Sequence, residues 1–362
     1  MNPNVIHVID QLEPGGAQQV VLALTEGNPF SHVCALYASP DKPGLGRSFP
    51  GAQILAYRKS AVPAILYGLI RLILQHRSTA IFNAHLQAST LLLCLLRKLF
   101  DFKLVVTLHA RMEQWPRWFR RVFRTVIFSA DHVIADSKLI YEEARALGLN
   151  KKKLTLIPIG TLRAATDPRQ VTVDIRRELG IAAGMPVFLN IARMVPGKGQ
   201  MHLVRAMVSV PDAVAVLVGD GPEEQRLRAE IGRLGLERRV FLAGRRTDLE
   251  NYYPVAIAFV MPCLDESMGI VIYDALTCRL PVIAYASGSI GEIVTDGENG
   301  LLLPVDTDAL AAAMRKILSG DTRFSFLAPE TYSAAPMVDR HNKLYMELAG
   351  KWLDPEARKA DA

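Results

Sequence analysis

Short apolar runs alternate with helical stretches along nearly the whole chain, and that alternation constrains the fold more than any other feature. Val5 to Asp10 reads as a buried strand, Pro14-Gly15-Gly16-Ala17 as a turn, and residues 18–24 as a helix. A strand, a glycine-rich turn and a helix form the unit from which parallel sheets are built. Further strand-like runs fall at 33–38, 80–83, 104–108, 132–135 and 154–158, with helices between them, notably 61–75 and 89–99. A second series of strands runs 186–191, 213–218, 240–243, 257–261, 281–284 and 300–303. The polar stretch 163–172, with Pro168, reads as the linker between the two series, and 335–353 as a final helix. A chain of 362 residues exceeds one typical core, so the expected class is α/β with two domains.

Charge is unevenly shared. Residues 1–162 hold 19 Lys and Arg against 10 Asp and Glu, whereas the remainder holds 23 against 26. Residues 97–124 alone carry eight basic and two acidic side chains. The first half therefore suits an anionic surface. No nucleic-acid reading motif accompanies the charge, so nucleic acid is not an expected partner. The four cysteines, Cys34, Cys94, Cys263 and Cys278, lack metal-ligand spacing and fit buried thiols of a reducing cytoplasm. The chain begins directly on a strand, without a secretory signal, and no apolar run reaches the roughly 18 residues of a membrane span. A cytoplasmic protein is expected.

Several residues stand where ligands bind parallel sheets. Asp265-Glu266-Ser267-Met268-Gly269-Ile270-Val271-Ile272-Tyr273-Asp274 follows the apolar run 255–262 and leads into a helix at Ile270. A strand, a turn with Gly269 and a helix start present free backbone N–H groups to phosphate. Glu266 and Asp274, about two helical turns apart, can accept paired hydrogen bonds from sugar hydroxyls. Arg193 and Lys198 occupy another strand-to-helix turn, Asn190 to Gly199, where a fork of donors and a point charge suit a diphosphate. His109 ends the strand 104–108, a position that faces the ligand crevice of a parallel sheet. His85 also ends a strand and is an acceptor-side candidate. In the glycine turn, Gly16 permits close backbone approach. Trp115, Trp118, Phe119, Val122, Phe123 and Val126 repeat at helical spacing, with Arg117, Arg120, Arg121 and Arg124 on the opposite face. A basic face beside aromatic residues is what lies on an anionic bilayer. Taken singly, these features also fit a capped surface helix, a solvated basic loop, a structural histidine and a core helix with a solvated Arg face.

The acid-x7-acid spacing of Glu266 and Asp274 is followed by Leu280-Pro281-Val282-Ile283-Ala284, Gly291-Glu292-Ile293-Val294 and Asp296-Gly297-Glu298-Asn299-Gly300-Leu301-Leu302. Together they resemble the retaining glycosyltransferases of family 4, group 1, which have the GT-B fold. The resemblance covers most of the chain and is most specific from Phe188 to Pro304. It implies two Rossmann-like domains with parallel sheets facing across a cleft: residues 1–165 for the acceptor, 173–334 for the nucleotide-sugar donor, and 335–362 crossing back to the first. It implies transfer from a nucleoside-diphosphate sugar, a UDP-sugar, to a hydroxyl of a cell-surface polysaccharide or lipid-linked saccharide in envelope or lipopolysaccharide biosynthesis. It implies no cofactor and no metal, because side chains neutralise the departing diphosphate. By the same resemblance Arg193 and Lys198 hold that diphosphate, Glu266 the transferred sugar, and Met268, Gly269, Ile270 and Val271 sugar and phosphate through the backbone. Asp274, where the family usually has Glu, holds the ribose; Gly16 lies over the donor; His109 meets the sugar hydroxyls at the reaction centre. The basic helix is expected to dock the enzyme on the anionic inner face of the cytoplasmic membrane, beside a lipid-linked acceptor. Two other readings stay open: a sugar-nucleotide 2-epimerase on the same fold, and a non-catalytic glycan- or nucleotide-binding relative.

Overall fold

The computed structural model describes residues 3–13, 15–38, 49, 51–162 and 172–353. Two compact units divide the chain, Met1–Leu162 together with Ala334–Ala362, and Arg163–Ser333. Nearly all of the expected linker, and the tail from Asp354, lie outside the described residues.

In the first unit the strands are β1 (Asn4–Ile9), β2 (Ser31–Ala35), β3 (Gln53–Ile54), β4 (Ala80–His85), β5 (Lys103–Leu108), β6 (His132–Ala135) and β7 (Leu154–Leu156). The helices are α1 (Gly16–Glu26), α2 (Val62–His76), α3 (Gln87–Arg97), α4 (Arg117–Val126) and α5 (Lys138–Ala146). All pairings are parallel and the sheet order is β3-β2-β1-β4-β5-β6-β7. Strands buried on both faces explain the continuous apolar runs. Alternate side chains, such as Ile6, Val8, Phe82, Ala84, Leu104 and Val106, enter one core with α2, α3, α4 and α5. The opposite parity faces α1 through Ile9, Val33 and Ala35. That second face also carries polar groups: Thr107 Oγ1 donates to Asn83 Oδ1 (3.0 Å), and Asn83 Nδ2 donates to Tyr345 Oη (2.6 Å) on the chain's final helix.

In the second unit the strands are β8 (Val187–Ile191), β9 (Val214–Val218), β10 (Val240–Gly244), β11 (Ala258–Met261), β12 (Val282–Tyr285) and β13 (Gly300–Leu303), in the order β10-β9-β8-β11-β12-β13. The helices α6 (Ile175–Glu178), α7 (Gln200–Ala206), α8 (Glu224–Arg233), α9 (Ile270–Thr277) and α10 (Thr307–Leu318) follow; α11 (Ala335–Leu353) returns to the first unit. Val204, Leu227 and Leu310 pack on one sheet face and Ile272, Ala275 and Leu276 on the other. In each unit the strand order reverses once, between β1 and β4 and between β8 and β11. Open parallel sheets bind ligands outside the carboxyl ends of the strands at that reversal.

Candidate active site

The reversal in the second unit brings two loops together. The loop after β8 carries Arg193 and Lys198; the loop after β11 carries Glu266. Asn190, fully buried on β8, donates to Val260 O on β11 (2.7 Å) and fixes the strand ends. Above them Leu264 N and Cys263 Sγ both reach Gly197 O (2.8 and 3.2 Å). Gly199 turns into α7 with φ 73°, and a Cβ there would stand 1.7 Å from Pro262 O. Gly199→Ala combines a left-handed backbone with a collision against main chain. It is expected to destabilise by at least ~2 kcal/mol, read as a lower urea midpoint.

Lys198 Nζ stands 2.8 Å from Glu266 Oε2. Burial pushes the Glu266 carboxyl up, but the Lys198 ammonium and the amides of Met268 and Gly269 outweigh it and hold the pKa below the usual carboxylate value. Burial likewise opposes the charge on Lys198, and Glu266 more than restores it. Glu266 Oε1 accepts from Ser267 N (3.1 Å) and lies 3.5 Å from Met268 N. The carboxylate thus rests against the start of α9 and the Lys198 ammonium. Ile270 and Val271, the first two residues of α9, have no intrahelical amide partners by position. Arg193 is exposed and its guanidinium makes no hydrogen bond or ion pair among the described residues.

A third loop, after β12, supports Glu266 and was not legible in the sequence. Ser289 N donates to Glu266 O (2.8 Å) and Ser289 Oγ to Ser267 O (2.8 Å). Gly288, φ 55°, leaves room for the Glu266 backbone, where a Cβ would meet Glu266 O at 2.0 Å. Asp274 is buried in α9 and accepts from Tyr253 Oη (3.2 Å), a partner that sequence spacing also missed.

Among the described residues no group of three or more His, Cys, Asp or Glu could hold a metal ion. The Asp-x-Asp run Asp306-Thr307-Asp308 forms a helix cap: Asp306 Oδ1 accepts from Ala309 N (2.6 Å) at the start of α10.

In the first unit Gly16 opens α1 directly beyond β1. His85 and His109 are not separate candidates: His85 Nδ1 lies 2.8 Å from His109 Nε2, and His85 Nε2 lies 3.0 Å from His7 Nδ1. With no exposure and both nitrogens engaged, His85 does not present itself to an acceptor. His109 Nδ1 contacts Asp136 Oδ2 (3.1 Å), so a sugar hydroxyl reaches a His109 nitrogen only by replacing one of these partners. Asp136, just beyond β6, stands at a strand end as His85 and His109 do, and that position was its available signal.

The aromatic helix also needs correction. Trp115 is 6% exposed and packs edge-on to Phe119 and Phe123, with ring centroids 5.3 and 4.8 Å away. It belongs to the core and cannot face a membrane. Trp118 is 66% exposed and Val122 is exposed beside it. The apolar stripe splits because at 100° per residue Trp118 and Val122 lie a quarter-turn off the Phe119–Phe123–Val126 line. Arg117, Arg121 and Arg124 are exposed; Arg120 is half-buried. Leu95 and Leu99 of the neighbouring α3 segment are exposed too, and Lys98 Nζ reaches Thr125 O (3.4 Å). No helix among the described residues is long and apolar enough to cross a membrane.

Comparison with known proteins agrees with this architecture. The family model described as Glycosyl transferases group 1 matches residues 172–327, and that described as Glycosyltransferase Family 4 matches residues 5–161. The GDP-mannose-dependent alpha-(1-6)-phosphatidylinositol monomannoside mannosyltransferase of Mycolicibacterium smegmatis is 30% identical over 279 residues, 72% of this chain and 72% of that protein. The lipopolysaccharide core biosynthesis glycosyltransferase LpsE of Rhizobium meliloti is 32% identical over 161 residues, 44% of this chain and 47% of that protein. Among solved structures, Anabaena Alr3699/HepE in complex with UDP and glucose has a TM-score of 0.76 at 20% identity, covering 99% of this chain and 100% of that one. A glycosyltransferase from Rickettsia africae has a TM-score of 0.77 at 18% identity, covering 96% and 99%. At these identities the structural likeness speaks for the fold alone.

Proposed function

This chain belongs to the family 4 glycosyltransferases, glycosyl transferases group 1, with two Rossmann-like domains, and we propose that it transfers a sugar with retention of configuration from a nucleoside diphosphate to a hydroxyl of a cell-surface or lipid-linked saccharide. The observation that carries this reading is the Lys198–Glu266 pair, 2.8 Å, beside the unpartnered Arg193 at the strand reversal of the second unit. Breaking the glycosyl–phosphate bond leaves negative charge on the diphosphate while the sugar becomes cationic. Fixed cations whose hold strengthens as that charge grows lower the barrier. The acceptor oxygen attacks from the face the diphosphate leaves, and the departing phosphate oxygen takes the acceptor's proton. No nucleophile is assigned. Glu266 takes sugar hydroxyls, the amides from Met268 to Val271 take sugar and phosphate, and Asp274 takes the ribose.

UDP is the donor nucleotide on this reading; the mannosyltransferase relative, named as GDP-mannose-dependent, makes GDP the specific competitor. A thermal-shift series with UDP-, GDP- and ADP-sugars separates them. At a hundred times Kd the matching donor stabilises by ~2.7 kcal/mol, raising the transition by ~5 °C or more. No shift with any of the three would contradict the reading. Product formed with a donor and an acceptor excludes the non-catalytic alternative; conversion without an acceptor would favour the epimerase.

The exposed face of α4 is proposed to meet an anionic membrane, with Trp118 at the interface and the arginines over lipid headgroups. Each basic residue near such a surface contributes ~1 kcal/mol, so reversing Arg117, Arg120, Arg121 and Arg124 to Glu is expected to weaken binding to phosphatidylserine vesicles at least ~10-fold. Equal sedimentation with vesicles would overturn the proposal.

A further inference from the structure

The buried histidines of the first unit form one continuous chain ending on a carboxylate. His7 Nδ1 meets His85 Nε2 at 3.0 Å, His85 Nδ1 meets His109 Nε2 at 2.8 Å, and His109 Nδ1 meets Asp136 Oδ2 at 3.1 Å. All four residues are buried. Each such contact holds one proton, so three contacts need three. Three neutral imidazoles carry that number. Burial keeps the inner rings neutral: it lowers His7 to about 3 and His85 well below the ordinary histidine value.

The carboxylate then sets the direction. An ionised Asp136 only accepts, so His109 bears its proton on Nδ1 and leaves Nε2 bare. That bare nitrogen accepts from His85 Nδ1–H, and the bare His85 Nε2 accepts from His7 Nδ1–H. The count leaves His7 Nε2 with a lone pair and nothing to accept. His7 Nε2 is buried and has no hydrogen-bond partner among the described residues, which suits a bare chain-end nitrogen. His341, whose charge bears on His7 and His85, has the same form: its Nδ1 donates to Met337 O (2.8 Å) and its buried Nε2 has no partner among the described residues. One added proton would reverse the two imidazole–imidazole bonds and leave His109 Nδ1–H on Asp136, placing an imidazolium beside that carboxylate and Nε2–H on His85 and His7. That state buries a donor at His7 with no acceptor, the costlier arrangement.

We propose that Asp136 is a positioning residue for His109, fixing His7, His85 and His109 as Nδ1–H tautomers so that His109 offers an acceptor nitrogen beyond β5. On the glycosyltransferase reading, on which this inference rests, that nitrogen takes the hydrogen of a sugar hydroxyl whose oxygen accepts His85 Nδ1–H in turn, while Asp136 holds the ring against rotation.

The test is long-range proton–nitrogen correlation spectroscopy on the full chain with 15N-labelled histidine at neutral pH, alongside steady-state transfer kinetics. The wild type should show the three rings with Nδ1 protonated and Nε2 bare. Asp136→Ala should disperse that pattern and lower kcat ~10- to 100-fold, with KM for the sugar nucleotide little changed, and Asp136→Glu should restore most of both. Where Asp136→Ala does not fold, Asp136→Asn keeps the volume and gives the same two readouts. Nε2–H rings or an imidazolium at His109 in the wild type would overturn the proposal, as would an Asp136 variant with unaltered tautomers and kcat. A wild type with the stated tautomers that transfers no sugar from any donor contradicts the functional reading instead, and the spectrum still decides what Asp136 does to the rings.

Discussion

Lys198→Ala is expected to lower sugar transfer ~10²- to 10³-fold, the usual cost of removing one preorganised group that meets charge developing in a transition state. Two consequences follow from the geometry. On the proposed function the diphosphate loses the ammonium, leaving Arg193 as the cation of that loop. Glu266, now without the partner 2.8 Å away, remains a buried carboxyl. In the wild type its pKa lies below the ordinary value, against the upward push of burial, so it adds stability above the unfolded pKa that is lost as pH falls through the folded one. Without Lys198 burial is opposed only by the Met268 and Gly269 amides, and the carboxyl is expected to move above its ordinary value. The folded variant then holds a proton that the unfolded chain gives up, and its stability falls as pH rises through the range above the unfolded carboxyl pKa. Lys198→Met should therefore lower the melting temperature more at neutral than at acid pH. Equal losses at the two pH values would show that Glu266 does not depend on Lys198.

Glu266→Gln is expected to separate binding from turnover. The glutamine keeps an acceptor for Ser267 N but cannot neutralise the ammonium. Transfer should fall ~10²-fold, because an uncharged amide grips the sugar less as it becomes cationic. Binding of the free nucleoside diphosphate should be retained or tightened, since the carboxylate no longer competes with phosphate for Lys198. Calorimetry with the nucleoside diphosphate, beside initial rates of transfer, reads both quantities. A loss of nucleotide binding as large as that of Lys198→Ala would mean that Glu266 acts by holding the loop in shape.

The parts legible in the sequence are those carried by local pattern. Strands buried on both faces, such as Ala258–Met261 and Val282–Tyr285, appear as uninterrupted apolar runs, and helix α9 begins at Ile270 as its Gly269 turn implies. The edge strand Gln53–Ile54 is too short to show any period. What escaped is whatever long-range folding assembles. Ser289 and Gly288 reach Glu266 from the next strand's loop, and Tyr253 reaches Asp274 across 21 residues. His7 lies within β1 and is fully buried; nothing local says that its ring continues a chain through His85 to His109. Trp115 and Trp118 share one apolar pattern, yet only packing decides that one is core and the other exposed.

Arg193 and Lys198 are expected to receive the diphosphate of a sugar nucleotide while Glu266 turns to the sugar. A crystal structure of the chain with a nucleoside-diphosphate sugar, chosen by the thermal-shift series, tests it most directly. Phosphate oxygens should lie within hydrogen-bond distance, ~2.7–3.2 Å, of Lys198 Nζ and the Arg193 guanidinium, with a sugar hydroxyl on a Glu266 oxygen. A nucleotide bound elsewhere, with Lys198 still closed on Glu266 and Arg193 in solvent, would contradict it.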